Sequence, residues 1–350
     1  MRLLKIIFTT TLLMSALTAC SARPGNLSLH WSQLPSLPDS LGVAGPFAGV
    51  SGDALIVAGG ANFPDKMPWA GGKKIWHDTV YVLGNQQHKW TVAGKLPRPL
   101  AYGISVTTPA GVVCLGGSDA DRHYRDVFCL QFQSGKLSMQ PLPSLPVPLA
   151  NAAGALVDKT IFVAGGAAQP GESAALSECF ALDLSQPNPA WVTLPPCPGP
   201  PRILPVAAAA AGAFYLFGGA ALVPTNGVVA RVYLRDAWRY QSGEGWRRLA
   251  DLPTPCVAGP TPAPCFEGKI LLVGGDDGSR VGFQPVALHP GFSPKVLVYD
   301  VADNSWRTNS EMPAPRATVP AVFWHNQFVI PSGEQRPGVR SPEVWAFRPD

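Results

Sequence analysis

The chain has 350 residues, a net charge of +4 and only 14% charged side chains, so it lacks the basic density that nucleic-acid binding needs. Its 36 Gly and 38 Pro argue against a helical protein, because both residues interrupt helix interiors. Short strands joined by tight turns fit this profile.

In chain order, "MRLLK" is a short basic start, followed by "IIFTTTLLMSALTA", an apolar run too short for a stable membrane span. The next residues, Leu17-Thr18-Ala19-Cys20, resemble a bacterial lipoprotein lipobox. That reading makes residues 1–19 a signal peptide, Cys20 the lipidated first mature residue, and 20–27 a tether to a domain spanning 28–350. Plain secretory cleavage near Ala19 is the alternative. The chain is then expected on the periplasmic side of the envelope, touching membrane only through the anchor at Cys20. Ser21 after the cysteine fits outer-membrane sorting. Six further cysteines, Cys114, Cys129, Cys179, Cys197, Cys256 and Cys265, match no zinc spacing. An oxidising compartment permits disulfides among them, but a chain this long does not require any, and buried free thiols fit equally well.

A repeat dominates the rest. Apolar runs end in glycine pairs at 59–60, 116–117, 165–166, 218–219 and 274–275, with "IPSGE" as a degenerate sixth at 332–333. In phase with these, Trp31, Trp90, Trp191, Trp246 and Trp306 each begin a short stretch closing in a proline-bearing turn, and one unit, "KLSMQPLP", has lost its Trp. Between glycines and Trp lie β-type runs such as "TVYVL", "DVFCL" and "KVLVYD". Each unit of about 50 residues thus holds four short strands and resembles a kelch motif. The predicted fold is all-β, a six-bladed kelch-type β-propeller. Trp31 precedes the first glycine pair, so the N-terminal "LSLHWSQ" is expected to complete the last blade against residues 343–348 and close the ring.

Antiparallel order places the loops after the glycine pairs and the segments leading into each first strand on one end of the propeller. The lead-in segments "LPRPLAYG", "GPPRILP" and "APRATVP" supply Arg98, Arg202 and Arg316 at equivalent places in three blades. The post-glycine loops supply Asn62, Arg122 and the Glu334/Arg340 pair. A cationic funnel is expected there, suited to a carboxylate ligand because guanidinium grips carboxylate through two parallel hydrogen bonds. Lys73 and Lys74 read equally well as surface residues. Asp276-Asp277-Gly278 reads as turn chemistry, and His77 and His123 as local hydrogen-bonding groups. Glu334 differs from these, since the same slot in the other blades holds Ala61, Ser118, Ala167, Ala220 and Asp276. A longer acid where small residues are otherwise used is expected to project into the channel.

The strings "GVAGPFAGVSGDALIVAGGANF", "GGKK", "RPLAYGISV" and "GEQRPGVR" resemble the sialic acid mutarotases, or N-acetylneuraminate epimerases, in a cyclically permuted order. Residues 31–130 look like the C-terminal part of better-known members and 140–350 like their N-terminal part. A longer insertion in several members is reduced here to about 276–293. The resemblance implies an isomerase that interconverts the α and β anomers of a small acidic sugar without metal or organic cofactor. It places acid–base catalysis on Glu334 with Arg340 as partner, while the loop positions read above assign substrate binding to Arg98, Arg202, Arg316, Asn62 and Arg122. A non-catalytic propeller that captures a glycan or protein at the envelope is the rival reading. Sialidase Asp-box repeats are absent, and the six histidines form no copper-oxidase ligand set.

Overall fold

The structure, a computed structural model, describes residues 27–84 and 89–350. The expected leader, the lipid anchor at Cys20 and most of the tether lie outside these residues. Leu27 already belongs to the domain: it is buried against the last blades, and its carbonyl accepts the side-chain N–H of Asn309.

Six four-stranded antiparallel sheets follow one another as blades. Blade 1 comprises Phe47–Ser51, Ala54–Ala58, Thr79–Leu83 and Thr91–Lys95; blade 2, Ile104–Thr108, Gly111–Leu115, Val127–Gln133 and Lys136–Leu142. Blade 3 comprises Ala153–Val157, Thr160–Ala164, Cys179–Asp183 and Trp191–Leu194; blade 4, Val206–Ala210, Ala213–Phe217, Ala237–Gln241 and Gly245–Arg248. Blade 5 is built from Cys265–Phe266, Lys269–Val273, Lys295–Asp300 and Ser305–Glu311. Blade 6 takes Val322–Trp324, Gln327–Pro331 and Val344–Pro349, and its fourth strand is the N-terminal Leu29–Leu34. That strand pairs with Val344–Pro349 from Leu29 opposite Pro349 to Leu34 opposite Val344. The ring closes as the sequence predicts, with six blades.

Burial explains the strand order. Second strands such as "ALIVA", "GVVCL" and "AFYLF" are buried throughout, whereas the outer "KLSMQPL" alternates half-buried with exposed. Continuous apolar runs suit strands covered on both faces, and alternation suits the rim. The core is accordingly not one mass but a cycle of clusters, each joining two adjacent blades, including one that joins blade 6 to blade 1. The repeated Trp residues tie blades together polarly as well: the indole N–H of Trp191 reaches Pro143 O, that of Trp246 reaches Pro195 O, and that of Trp306 reaches Ala250 O, each 2.8 Å away on the preceding blade.

Two hydrogen-bond circuits run around the axis. The second glycine of each pair donates to the lead-in segment of the next blade, from Gly60 to Leu100 O at 2.8 Å through to Gly333 to Val43 O at 3.0 Å. Close approach is what requires glycine: a Cβ on Gly60, at φ +94°, would sit 2.6 Å from Val43 Cβ. Nearer the axis, Gly45, Tyr102, Asn151, Leu204, Ala258 and Thr318 are all left-handed, and each N–H bonds to the carbonyl of its neighbour in a closed six-membered collar at 2.7–2.9 Å. At the sixth turn Ser332 replaces the first glycine at φ +76°. Its hydroxyl accepts the Val43 N–H at 2.8 Å and donates toward Ser341 O at 2.8 Å, so a serine here secures the seam between blades 6 and 1. All six described cysteines are free, and burial pushes the thiols of Cys179 and Cys256 up to about 12.

Candidate active site

The collar forms the floor of a cavity of about 700 Å³ on the post-glycine end of the channel. The residue after each glycine pair pairs with a lead-in residue of its own blade: Ala44 with Ala61, Ala101 with Ser118, Ala150 with Ala167, Ile203 with Ala220, Val257 with Asp276, and Ala317 with Glu334. All six slots compared in the sequence are therefore structurally equivalent. Five insertions that follow them build the walls: the 61–76 loop, the 118–123 loop, a hairpin of Ala220–Thr225 with Val228–Tyr233, the 276–292 loop, and a short hairpin of Glu334–Arg336 with Val339–Arg340.

In that last hairpin Glu334 lies opposite Arg340, and their side chains form an ion pair at 2.9 Å on the cavity wall. Burial pushes the Glu334 carboxyl above the ordinary glutamate range; Arg340, Lys74 and Arg231 pull the other way and Asp276 adds to the rise. Arg340 is held from three sides. Its Nε donates to Ala61 O at 3.2 Å, its guanidinium sits 4.7 Å over the Phe63 ring, and an Nη lies 3.5 Å from the Tyr102 hydroxyl. Nη1 is buried without a partner among the described residues. Lys74 Nζ is 4.8 Å over the Tyr102 ring and 5.4 Å over Trp76, which directs this lysine over the cavity, while Lys73 stays exposed. On the neighbouring wall the Tyr233 hydroxyl donates to Asp276 at 2.7 Å, and His289 lies between Phe283 and Phe292. Among the described residues no group of three or more His, Cys, Asp or Glu side chains is arranged to hold a metal ion.

The expected arginine funnel is corrected. Arg202 is 1% exposed and gives both terminal nitrogens to Asp236 at 2.6 and 2.8 Å, with further bonds to Gly218 O and Pro200 O. Arg316, 2% exposed, pairs with Glu343 at 2.5 Å and with Ser341 Oγ. Arg98 pairs with Asp126 and stacks on Tyr124. In each case the acid just before the third strand binds the arginine of the same blade's lead-in segment. The three guanidinium groups brace the lead-in segment against the third strand within one blade and do not line the cavity. Asn62 likewise serves the frame: it is 2% exposed, donates to Gly42 O and Asp39, and faces His77 Nε2 across 2.9 Å. Arg122 is exposed beside Tyr124, outside the lining.

The cavity cations are instead Lys74, Arg231, Arg280 and Arg340. The sequence reading missed Arg231, although "PTNGVV" between alternating apolar residues signals the hairpin that carries it.

The N-acetylneuraminate epimerase family matches residues 15–139 and 142–281, more than half of the chain. That match takes in Lys74, His123, Arg231 and Asp276 and ends before Glu334. The N-acetylneuraminate epimerases of Brucella suis and Yersinia enterocolitica are 40% identical over 127 residues and 41% identical over 130 residues. Each alignment covers 32% of this chain and 32% of the relative, so the chain aligns with about a third of those proteins' length. The solved structure of YjhT shares the fold, with a TM-score of 0.67 over 89% of this chain and 96% of that one at 17% identity. By fold and by the extent of the family match, the chain belongs to the N-acetylneuraminate epimerase family.

Proposed function

We propose that the chain interconverts the α and β anomers of N-acetylneuraminate or a closely related keto sugar acid by general acid–base ring opening. The observation that carries this reading is the Glu334–Arg340 pair on the wall of a closed-floor cavity, where burial raises the carboxyl toward working pH. Glu334 takes the proton of the anomeric hydroxyl, and Arg340 holds the carboxylate in place. Lys74 and Arg231 supply the positive charge for the sugar's carboxylate, the part first expected of Arg98, Arg202 and Arg316. Proton transfer of this kind contributes roughly 10²–10⁴-fold, which suffices for a reaction that already runs slowly in water.

NMR of freshly prepared α-N-acetylneuraminate tests the reading. Wild type is expected to speed relaxation to the β anomer, and Glu334→Gln to lose about 10²–10⁴ of that acceleration. Equal rates in both would remove Glu334 from the mechanism. Sugar binding without faster exchange by wild type would make the protein a receptor.

A further inference from the structure

Two histidines line the cavity, and their hydrogen bonds impose opposite roles. His289 Nδ1 accepts the Gly291 backbone N–H at 3.1 Å, so in the neutral ring Nε2 carries the proton and can only donate. His123 is the reverse. Its Nδ1 lies 2.9 Å from the Ala167 carbonyl oxygen. A carbonyl only accepts, so Nδ1 keeps a proton in both charge states of the ring, and only Nε2 can take up or release one. Nε2 has no partner among the described residues, while the rest of the ring is buried.

The position of His123 matters as much as its tautomer. It follows the blade 2 slot residue Ser118 and is fastened to Ala167, the slot residue of blade 3. Glu334 occupies the slot of blade 6. Blades 3 and 6 face each other across a six-blade ring, so a sugar bound in the cavity lies between imidazole and carboxyl. Resting on the mutarotase reading, we propose that His123 is the second proton-transfer group of this site, exchanging through Nε2 the proton that complements Glu334 on the opposite side of the sugar.

The step balances without any co-reactant. The anomeric hydroxyl loses its proton to one group and its oxygen electron pair becomes the keto C=O. The bond from the anomeric carbon to the ring oxygen breaks, and that oxygen takes a proton from the other group. After the keto group turns, ring closure reverses both transfers. The two groups need one proton between them and recover it each turnover. Burial draws His123 below the ordinary imidazole range, opposed by the Ala167 carbonyl, Glu172 and Asp119, the acids that act on it.

His123→Asn separates this role from a structural one. The shorter amide can still donate to Ala167 O but has nothing at the Nε2 position. It is expected to keep the wild-type melting temperature and KM, to lose about 10²-fold in kcat, to lose the alkaline limb of the kcat–pH profile, and to recover rate with added imidazole after the enzyme-free rate is subtracted. An unchanged kcat overturns the proposal. So does a lower kcat with neither a changed profile nor imidazole rescue. If His123→Asn unfolds, His123→Gln is read in the same way. Wild type that does not accelerate exchange at all defeats the mutarotase reading itself, which is a distinguishable result.

Discussion

Arg340 holds Glu334 between two opposing pressures. Burial favours the neutral acid, and the guanidinium at 2.9 Å favours the carboxylate. A base works only when ionised, so activity rises with pH through the Glu334 pKa, at higher pH than an ordinary glutamate gives. Arg340→Gln removes the downward pull, leaving the carboxyl higher still. The acid limb of kcat/KM is therefore expected to move up in pH, with a loss at its plateau of about 10–100-fold for a charge-assisted contact. A pH–rate profile that does not move would mean that the pair is not coupled in catalysis. Arg202 makes the opposite case. Its bidentate partner Asp236 is also bonded by the Trp238 indole at 2.6 Å, and removing the guanidinium strands a buried carboxylate. Arg202→Met is expected to cost about 3–5 kcal/mol of stability in denaturant unfolding while leaving KM unchanged. The sequence could have separated these two arginines. Each of Arg98, Arg202 and Arg316 shares its blade with an acid just before the third strand, Asp126, Asp236 or Glu343. It is the arginine and the acid recurring together that mark a structural pair, since Asp78 and Glu178 hold the same position in blades 1 and 3 without an arginine. The Pro–Arg motif told where the backbone ran but not where the side chain turned.

Among elements, the inserted hairpins set what the cavity can bind. Asn226 and Gly227 both take positive φ, +50° and +78°, at the tip of the Ala220–Thr225 and Val228–Tyr233 hairpin. Both values suit the two-residue turn that matches strand twist, and "NG" is the sequence mark of that turn. This hairpin brings Arg231 and Tyr233 to the cavity, although most of its own surface is exposed. Glu334, by contrast, stood out in the sequence because its slot is otherwise filled by small residues or a shorter acid. Nothing comparable flagged Lys74, whose place over Tyr102 depends on how the 61–76 loop folds back. Arg231→Ala is expected to raise KM about 10-fold, near 1.4 kcal/mol, with little change in melting temperature, since the residue anchors no core. A normal KM would remove Arg231 from carboxylate binding.

At the scale of the molecule, what counts is that the ring closes, not where the chain is cut. Repeat spacing made the six blades legible before any coordinates, because each unit needs its neighbours to bury its faces. The same physics makes the closing strand indispensable. Leu29–Leu34 covers the edge of Val344–Pro349, and Leu27, Leu29 and Trp31 pack into the cluster joining blades 5 and 6. Deleting residues up to 34 is expected to expose that edge, lower the melting temperature and promote association. Connectivity can be separated from closure because Asp350 N–H bonds Ser28 O at 3.1 Å, which sets the last residue beside the start of the closing strand. A short turn can therefore join residue 350 to residue 28, with the new chain beginning at Pro35. This permutant keeps every strand pair and should unfold cooperatively with a melting temperature close to that of the parent, whereas the deletion should not. If permutant and deletion melt alike and low, the seam contributes through the covalent connection of the closing strand to blade 1 at Leu34–Pro35. If both melt like the parent, the ring does not depend on its sixth blade being complete.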